Sequence, residues 1–148
     1  MTVARSLERI LEFSAPDGWR RIDLPNGMAF APAHDLDAVQ GRIEFAPVSF
    51  SVQKVPAIEG SFEQAIEHLM RRRVPDGEPG RFRAEVDGLP AYGFDWTDGI
   101  ANIRSLFVRS PDGHFLEVNV GRSAFSIEDR PAFGDFARDL LTRLRWRD

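Results

Sequence analysis

The chain has 148 residues, of which 43% are hydrophobic and 28% charged, as is typical of one globular domain. Its net charge of −4 argues against nucleic-acid binding, which needs a basic surface. The absence of cysteine excludes disulfides, thiol nucleophiles and thiolate metal sites.

The N-terminal residues 1–12 carry several charges and lack the apolar run of a secretory signal. No apolar stretch approaches the roughly 18 residues that a membrane span requires. We therefore expect a cytoplasmic protein with no membrane span.

The first predicted elements are three strands. Alternating residues at 20–24 and 28–30 flank Asn26-Gly27, a pair suited to the positive φ of a hairpin turn. Residues 43–55 predict a third strand. In it, Pro47 and a change of phase at Phe45 indicate a bulge or an edge position.

A helix is predicted to follow, from Ser61 to about Arg73. Ser61 and Gln64 form a capping-box pattern, and arginines 71–73 lie in the last turn before Pro75. The apolar stripe consists of Phe62, Ala65, Ile66, Leu69 and Met70.

Residues 81–121 predict an antiparallel meander of four strands. Short β-like runs alternate in period 2 and are separated by the pairs Asp87-Gly88, Asp98-Gly99 and Asp112-Gly113. A second helix begins near Asp129, has Pro131 in its first turn and extends to about Trp146.

This order of elements predicts an α+β sandwich in a single domain over residues 1–148. The antiparallel sheet has about six strands, including the C-terminal four-strand meander, and two main helices pack against it.

Several segments resemble the PsbP-like superfamily. They are Pro16-Asp-Gly-Trp19, the helix Ser61 to Arg73, Val86-Asp-Gly-Leu-Pro-Ala91 and the terminal Leu144-Arg-Trp146. Leu144-Arg-Trp146 is similar to the short strand that follows the last helix in that family. The resemblance covers roughly residues 13–146 and lies in the order and spacing of the segments.

The resemblance implies an α/β/α sandwich around an antiparallel sheet, and no single activity. Some bacterial members of the superfamily are homodimeric chaperones for type VI secretion effectors, and they hold apolar effector helices against the sheet. By analogy, an effector-loading chaperone or adaptor is the most concrete expectation for this chain.

Candidate catalytic residues are few. His34, Asp35 and Asp37 could bind a metal or a small molecule, but turn-forming residues in a polar loop give the same pattern. Glu63 and Glu67 share a helix face, where a solvated surface is the simpler interpretation than a catalytic pair. The sequence contains no Gly-x-Ser-x-Gly motif and no phosphate-binding loop. We expect no catalytic, metal-binding or cofactor-binding site.

The best basic cluster contains arginines 71–73, Arg81 and Arg83. It could bind an anion or an acidic partner. The alternative is that these arginines are cations that the dipole favours at the C-terminal end of a helix.

The strand at 103–108 is apolar on both faces, with Leu106 and Val108 on one face beside Arg104. Either one helix covers each face, or both helices share a face and the other face is open to a partner or a second copy. The second interpretation predicts a partner-binding surface of Arg83, Glu85, Arg104, Leu106, Val108, Glu117 and Asn119.

We therefore expect a non-enzymatic protein-binding domain with a protein partner, such as a secreted effector, and with the capacity to form a homodimer. The alternative is a small-molecule binding domain or weak hydrolase with a pocket between sheet and helix, using His34, Asp35 and Asp37.

Overall fold

The computed structural model describes residues 7–56, 60–76, 79–123 and 130–147. These residues form a seven-stranded antiparallel sheet with helices packed on both faces and a separate two-stranded ribbon. The predicted α+β class is therefore confirmed, with one strand more in the sheet than expected.

The elements follow one another along the chain. They are β1 (Leu11–Phe13), β2 (Trp19–Leu24), β3 (Gly27–Pro32), α1 (Ala33–Ala38), a 3₁₀ turn (Ile43–Phe45), β4 (Val48–Lys54), α2 (Phe62–Arg73), β5 (Arg81–Val86), β6 (Leu89–Thr97), β7 (Ala101–Arg109), β8 (Phe115–Ser123), α3 (Arg130–Leu141) and β9 (Leu144–Trp146).

The sheet order is β2-β3-β4-β8-β7-β6-β5, so the predicted meander and the predicted hairpin are both present. They meet in the middle of the sheet, where β4 pairs with β8 over its whole length. The ribbon pairs β1 with β9 and thereby joins the two ends of the described chain.

Two glycines of the predicted turns have different roles. Between β5 and β6, Asp87 and Gly88 have φ of 44° and 88°, as a tight two-residue hairpin requires. Gly27 is instead the first residue of β3, where an added Cβ would be 2.0 Å from the carbonyl oxygen of Val52 in β4. Gly27 therefore permits close approach of two strands and does not supply a turn conformation.

Each face of the sheet has its own apolar layer. The layer beneath α3 and the ribbon is the larger, and Phe50, Leu106 and Leu140 are fully buried in it. On the opposite face, α2 covers Phe94 and Phe107, while α1 covers a small cluster around Leu36. Of the two interpretations of strand 103–108, the structure has the one with helices on both faces.

Two predicted boundaries are wrong. Residues 43–45 form a 3₁₀ turn, and β4 lies in the interior of the sheet and not at its edge. The last helix ends at Leu141, because residues 144–146 pair with β1 and extend into a strand. Asp129, the expected start of that helix, lies outside the described residues.

The start of α2 agrees with its capping-box pattern. The Ser61 hydroxyl accepts a hydrogen bond from the Gln64 backbone N–H at 3.2 Å, and the Gln64 side chain accepts one from the Ser61 N–H at 2.9 Å. The two residues thus satisfy donors that the first helical turn leaves unpaired.

We expect Ser61→Ala to lower the free energy of unfolding by about 1 kcal/mol, because the capping oxygen is lost. Urea denaturation of the two proteins measures the difference. Ser61→Thr is the control, since it keeps a hydroxyl at the same position. Equal stability of the alanine and threonine variants would show that the cap contributes nothing.

Candidate functional site

A cluster of polar side chains lies on the α2 face of the sheet, and we call it the central polar cluster. Its members are Arg73, Trp96, Ser105, Glu117 and Asn119. The strand register places the cluster, because Ser105 of β7 stands directly opposite Asn119 of β8. Arg73, in the last turn of α2, reaches down to the sheet beside them.

Arg73 and Glu117 form a two-pronged ion pair. The Arg73 Nη1 and Nη2 atoms donate to the two Glu117 carboxylate oxygens at 2.8 and 2.9 Å. The side chain of Glu117 is 6% exposed and that of Arg73 is 23% exposed. The guanidinium also lies 4.9 Å from the centre of the Trp96 ring. This pair therefore fastens the end of α2 to the sheet.

Ser105 is fully buried and its hydroxyl is occupied. It accepts a hydrogen bond from Trp96 Nε1 at 2.8 Å and donates one to Asn119 Oδ1. No histidine is among its hydrogen-bond partners in the described chain. The Ser105 hydroxyl also lies 3.5 Å from a Glu117 carboxylate oxygen, so the serine joins the ion pair of Arg73 and Glu117 to Trp96 and Asn119.

An open groove runs between α2 and strands β5 and β6, and we call it the α2–β5 groove. Its volume is about 570 Å³. It is lined by Glu63, Ile66, Glu67, Met70, Arg81, Phe82, Arg83, Tyr92 and Gly93. Apolar side chains thus lie between acidic residues on the helix and basic residues on the strand.

The rims of the groove are linked by an ion pair between Glu67 and Arg81. The hydrogen bond from Arg81 lowers the pKa of the Glu67 carboxyl, against a smaller opposing effect of desolvation. Arg83 lies over the Tyr92 ring, 5.7 Å from its centre. The groove therefore presents charges of both signs beside an aromatic surface.

A second cleft, of about 410 Å³, lies at the N-terminal end of α2. Arg109 and His114 are its charged or titratable lining residues, and the Ser61 hydroxyl beside them is already used in the helix cap. His114 lies 3.3 Å from Asp112. The Arg109 guanidinium lies 5.6 Å from the centre of the Phe62 ring, another lining residue.

The seven residues of the predicted partner-binding surface do not share one face. Leu106 and Val108 stand opposite Val118 and Leu116, and all four belong to the layer under α3. Because directly opposed residues in a sheet point to the same face, the neighbouring Glu117 points the other way. The prediction that these seven residues share one open face is therefore wrong.

The other members are distributed over three places. Arg104 is enclosed on the α3 side, 3.6 Å from the Phe82 ring centre and hydrogen-bonded to Asp95 at 3.0 Å. Glu117 and Asn119 belong to the central polar cluster. Arg83 and Glu85 are exposed on the edge strand β5. Only this last pair remains accessible to a partner.

His34, Asp35 and Asp37 lie on α1 and not in a loop. The side chains of His34 and Asp37 are 85% and 68% exposed, and Asp37 pairs with Arg20. In the part of the chain that the structure describes, no three acidic or histidine residues are grouped to bind a metal. Neither cleft described above includes these residues.

The predicted basic cluster is divided among separate contacts. Arg71 and Arg72 are exposed, whereas Arg73 turns inward to Glu117 and Arg81 pairs with Glu67. The contact of Arg73 with the sheet was not predicted from the sequence. One signal was present: Ser105, Glu117 and Asn119 are polar residues in phase on adjacent strands, and they require a polar partner above them.

No helix in the described ranges is long and apolar enough to cross a membrane. No family model matches the chain, and no curated protein matches it. A solved protein of unknown function from Pseudomonas aeruginosa, proposed to be a regulator, is similar at 13% identity with a TM-score of 0.42, over 86% of this chain and 85% of that one.

Proposed function

We propose that the chain is a non-enzymatic protein-binding domain whose α2–β5 groove receives an amphipathic segment of a partner. One observation carries the proposal: apolar side chains of α2 and β6 line a groove with carboxylates on one rim and guanidinium groups on the other. An apolar centre with a charged rim is the usual anatomy of a protein interface.

The rim charges indicate the chemistry of the partner segment. Glu63 on the helix side favours a basic residue, and Arg83 on the strand side favours an acidic one. The half-buried Phe82 and Tyr92 favour an apolar side chain above the buried Ile66 and Met70. The ring of Tyr92 adds an aromatic surface, a residue type enriched where proteins bind one another.

A more specific form of the proposal is an effector-loading chaperone or adaptor of a bacterial secretion system, acting in the cytoplasm. Its support is the sequence resemblance to the PsbP-like superfamily. In this form, the partner is a secreted protein with an apolar segment that the groove shields.

Site-specific photo-crosslinking in the native host tests the groove. A benzophenone amino acid at Glu63, which lines the groove, should capture one discrete partner, identified by mass spectrometry. The same amino acid at His68 is the matched control, because His68 is exposed on the same helix and does not line the groove.

The captured protein is then purified and its binding measured by calorimetry. We expect Glu63→Lys to weaken binding several-fold, since it reverses a rim charge, and His68→Lys to leave it unchanged. Equal capture from both positions, or a captured protein that does not bind in purified form, would contradict the proposal.

A further inference from the structure

We propose that the edge of strand β5 binds a second copy of this chain, so that the two β5 strands pair antiparallel about a two-fold axis. The pairing joins the two sheets into one. It concerns the edge of the sheet and shares only Arg83 with the lining of the groove.

The first step is the position of β5. It stands at the end of the sheet order, and in the described chain β6 is its only neighbouring strand. A strand edge of this kind presents backbone donors and acceptors to any strand that can lie beside it. Its residues 83 and 85 are exposed.

The hairpin turn determines which backbone groups point outward. In a two-residue hairpin the residues that flank the turn form a hydrogen-bonded pair, here Val86 and Leu89. The same alternation holds further along, where the Asp95 N–H donates to the Gly80 carbonyl at 2.9 Å. Arg83 and Glu85 are out of phase with these pairs, so their N–H and C=O groups point away from β6.

The second step is the register. An outward-pointing residue must oppose an outward-pointing residue, so a two-fold axis through this segment passes at residue 83, 84 or 85. The axis at Ala84 places Arg83 opposite the partner's Glu85, and this favourable pair occurs twice. An axis at 83 or 85 places Arg83 against Arg83 or Glu85 against Glu85, which is unfavourable. An axis at 83 would also oppose Arg81 to Glu85, but Arg81 is already paired with Glu67. Charge complementarity therefore selects one register.

The apolar side of the strand is compatible with that register. Phe82 and Ala84 are half-buried at the edge of the layer under α3, and Val86 is buried beside them. With the axis at Ala84, Ala84 faces its own copy and Phe82 faces the partner's Val86. The small Ala84 side chains leave room at the axis, and the apolar layer continues from one copy to the other.

Charged residues on an edge strand commonly prevent edge-to-edge pairing. Here the two exposed residues have opposite signs and are two positions apart, which is the spacing that makes the strand complementary to itself. A contact through one strand is smaller than a standard interface of about 1,600 Å². The dimer should therefore be weak and concentration-dependent.

Charge exchange at the two positions tests the pairing. Sedimentation velocity of the wild-type chain should show a monomer–dimer equilibrium. Arg83→Glu and Glu85→Arg should each weaken the dimer at least about tenfold, because two opposed pairs become like-charged. An equimolar mixture of the two variants should dimerise again, since every carboxylate of the first variant then faces a guanidinium group of the second. The double variant Arg83→Glu, Glu85→Arg should also dimerise, because opposite charges again face each other.

Circular dichroism confirms that each variant is folded. A wild-type chain that stays monomeric at high concentration, or a mixture that does not associate, would overturn the proposal. The Glu85→Arg variant separates this proposal from the groove, because Glu85 does not line it. If the monomeric Glu85→Arg variant still captures a partner through the benzophenone amino acid at position 63, the groove functions without the dimer.

Discussion

Glu117→Ala is expected to lower the free energy of unfolding by about 3 kcal/mol. The Glu117 carboxylate is almost fully buried and holds both Nη atoms of Arg73. Removing one partner of such a pair leaves the other charge poorly solvated, and that loss typically costs about 3–5 kcal/mol. Because Arg73 is partly exposed to solvent, we expect the loss of stability to lie at the lower end of this range. Urea denaturation followed by circular dichroism measures it.

The exposed pair of Glu67 and Arg81 supplies the control. Both of its side chains are more than one third exposed, so Glu67→Ala should change stability by less than about 1 kcal/mol. The double variant Arg73→Met, Glu117→Leu removes both charges and should be more stable than Glu117→Ala alone. If Glu117→Ala is no less stable than Glu67→Ala, the clamp between α2 and the sheet does not contribute to stability.

Gly93→Ala is expected to be at least as damaging, with a loss of about 3 kcal/mol or more. A Cβ at Gly93 would lie 1.7 Å from the carbonyl oxygen of Ser105 and 2.9 Å from the Cα of Leu106. These are backbone atoms of β7, so no side-chain rotation relieves the contact and the two strands must separate. Losses of this size arise from only a few mechanisms, of which overpacking is one. Thermal unfolding by circular dichroism measures the effect.

Gly80→Ala is the matched control. Among the residues that the structure describes, a Cβ there would meet only the Phe82 ring, at 3.6 Å, which is an ordinary contact. Its stability should change by less than about 1 kcal/mol. Failure to recover folded Gly93→Ala supports the prediction if Gly80→Ala folds under the same conditions, and equal stability of the two would contradict it.

The parts of the fold that follow local rules could be predicted from the sequence. The Asp87-Gly88 turn and its two successors separate the strands of the meander, because the backbone conformation they favour is set by neighbouring residues. The capping box of α2 is equally local. Both signals act within a few residues, where a single sequence carries enough information.

Contacts between distant segments could not be predicted in the same way. The pairing of β4 with β8 makes β4 an interior strand, although Pro47 suggested an edge. That proline precedes the first residue of the strand, so it removes no hydrogen bond from the ladder. Likewise, the short strand at 144–146 follows from its pairing with β1, which the apolar periodicity of the preceding helix does not reveal. Only the resemblance of Leu144-Arg-Trp146 to a terminal strand indicated it.

The candidate site shows the same division. Arg83 and Glu85 were predicted to be exposed on β5, and their backbone phase follows from the turn beside them. The predicted surface combined Leu106 and Val108 with Glu117. The alternation of side chains along the strands instead puts the two apolar residues on one face of the sheet and Glu117 on the other. The inward direction of Arg73 depends on Glu117, 44 residues away, and so lies beyond local sequence rules.

The ribbon has a consequence for the order in which the domain is completed during synthesis. Leu11 pairs with Trp146, and Phe13 pairs with Leu144. A ribosome releases β1 early, but β1 has no partner strand until residues 144–146 have left the exit tunnel. The apolar layer beneath the ribbon therefore closes late, after the meander has been released. Contacts between such distant segments slow folding. Until these contacts form, the apolar layer stays exposed and can aggregate.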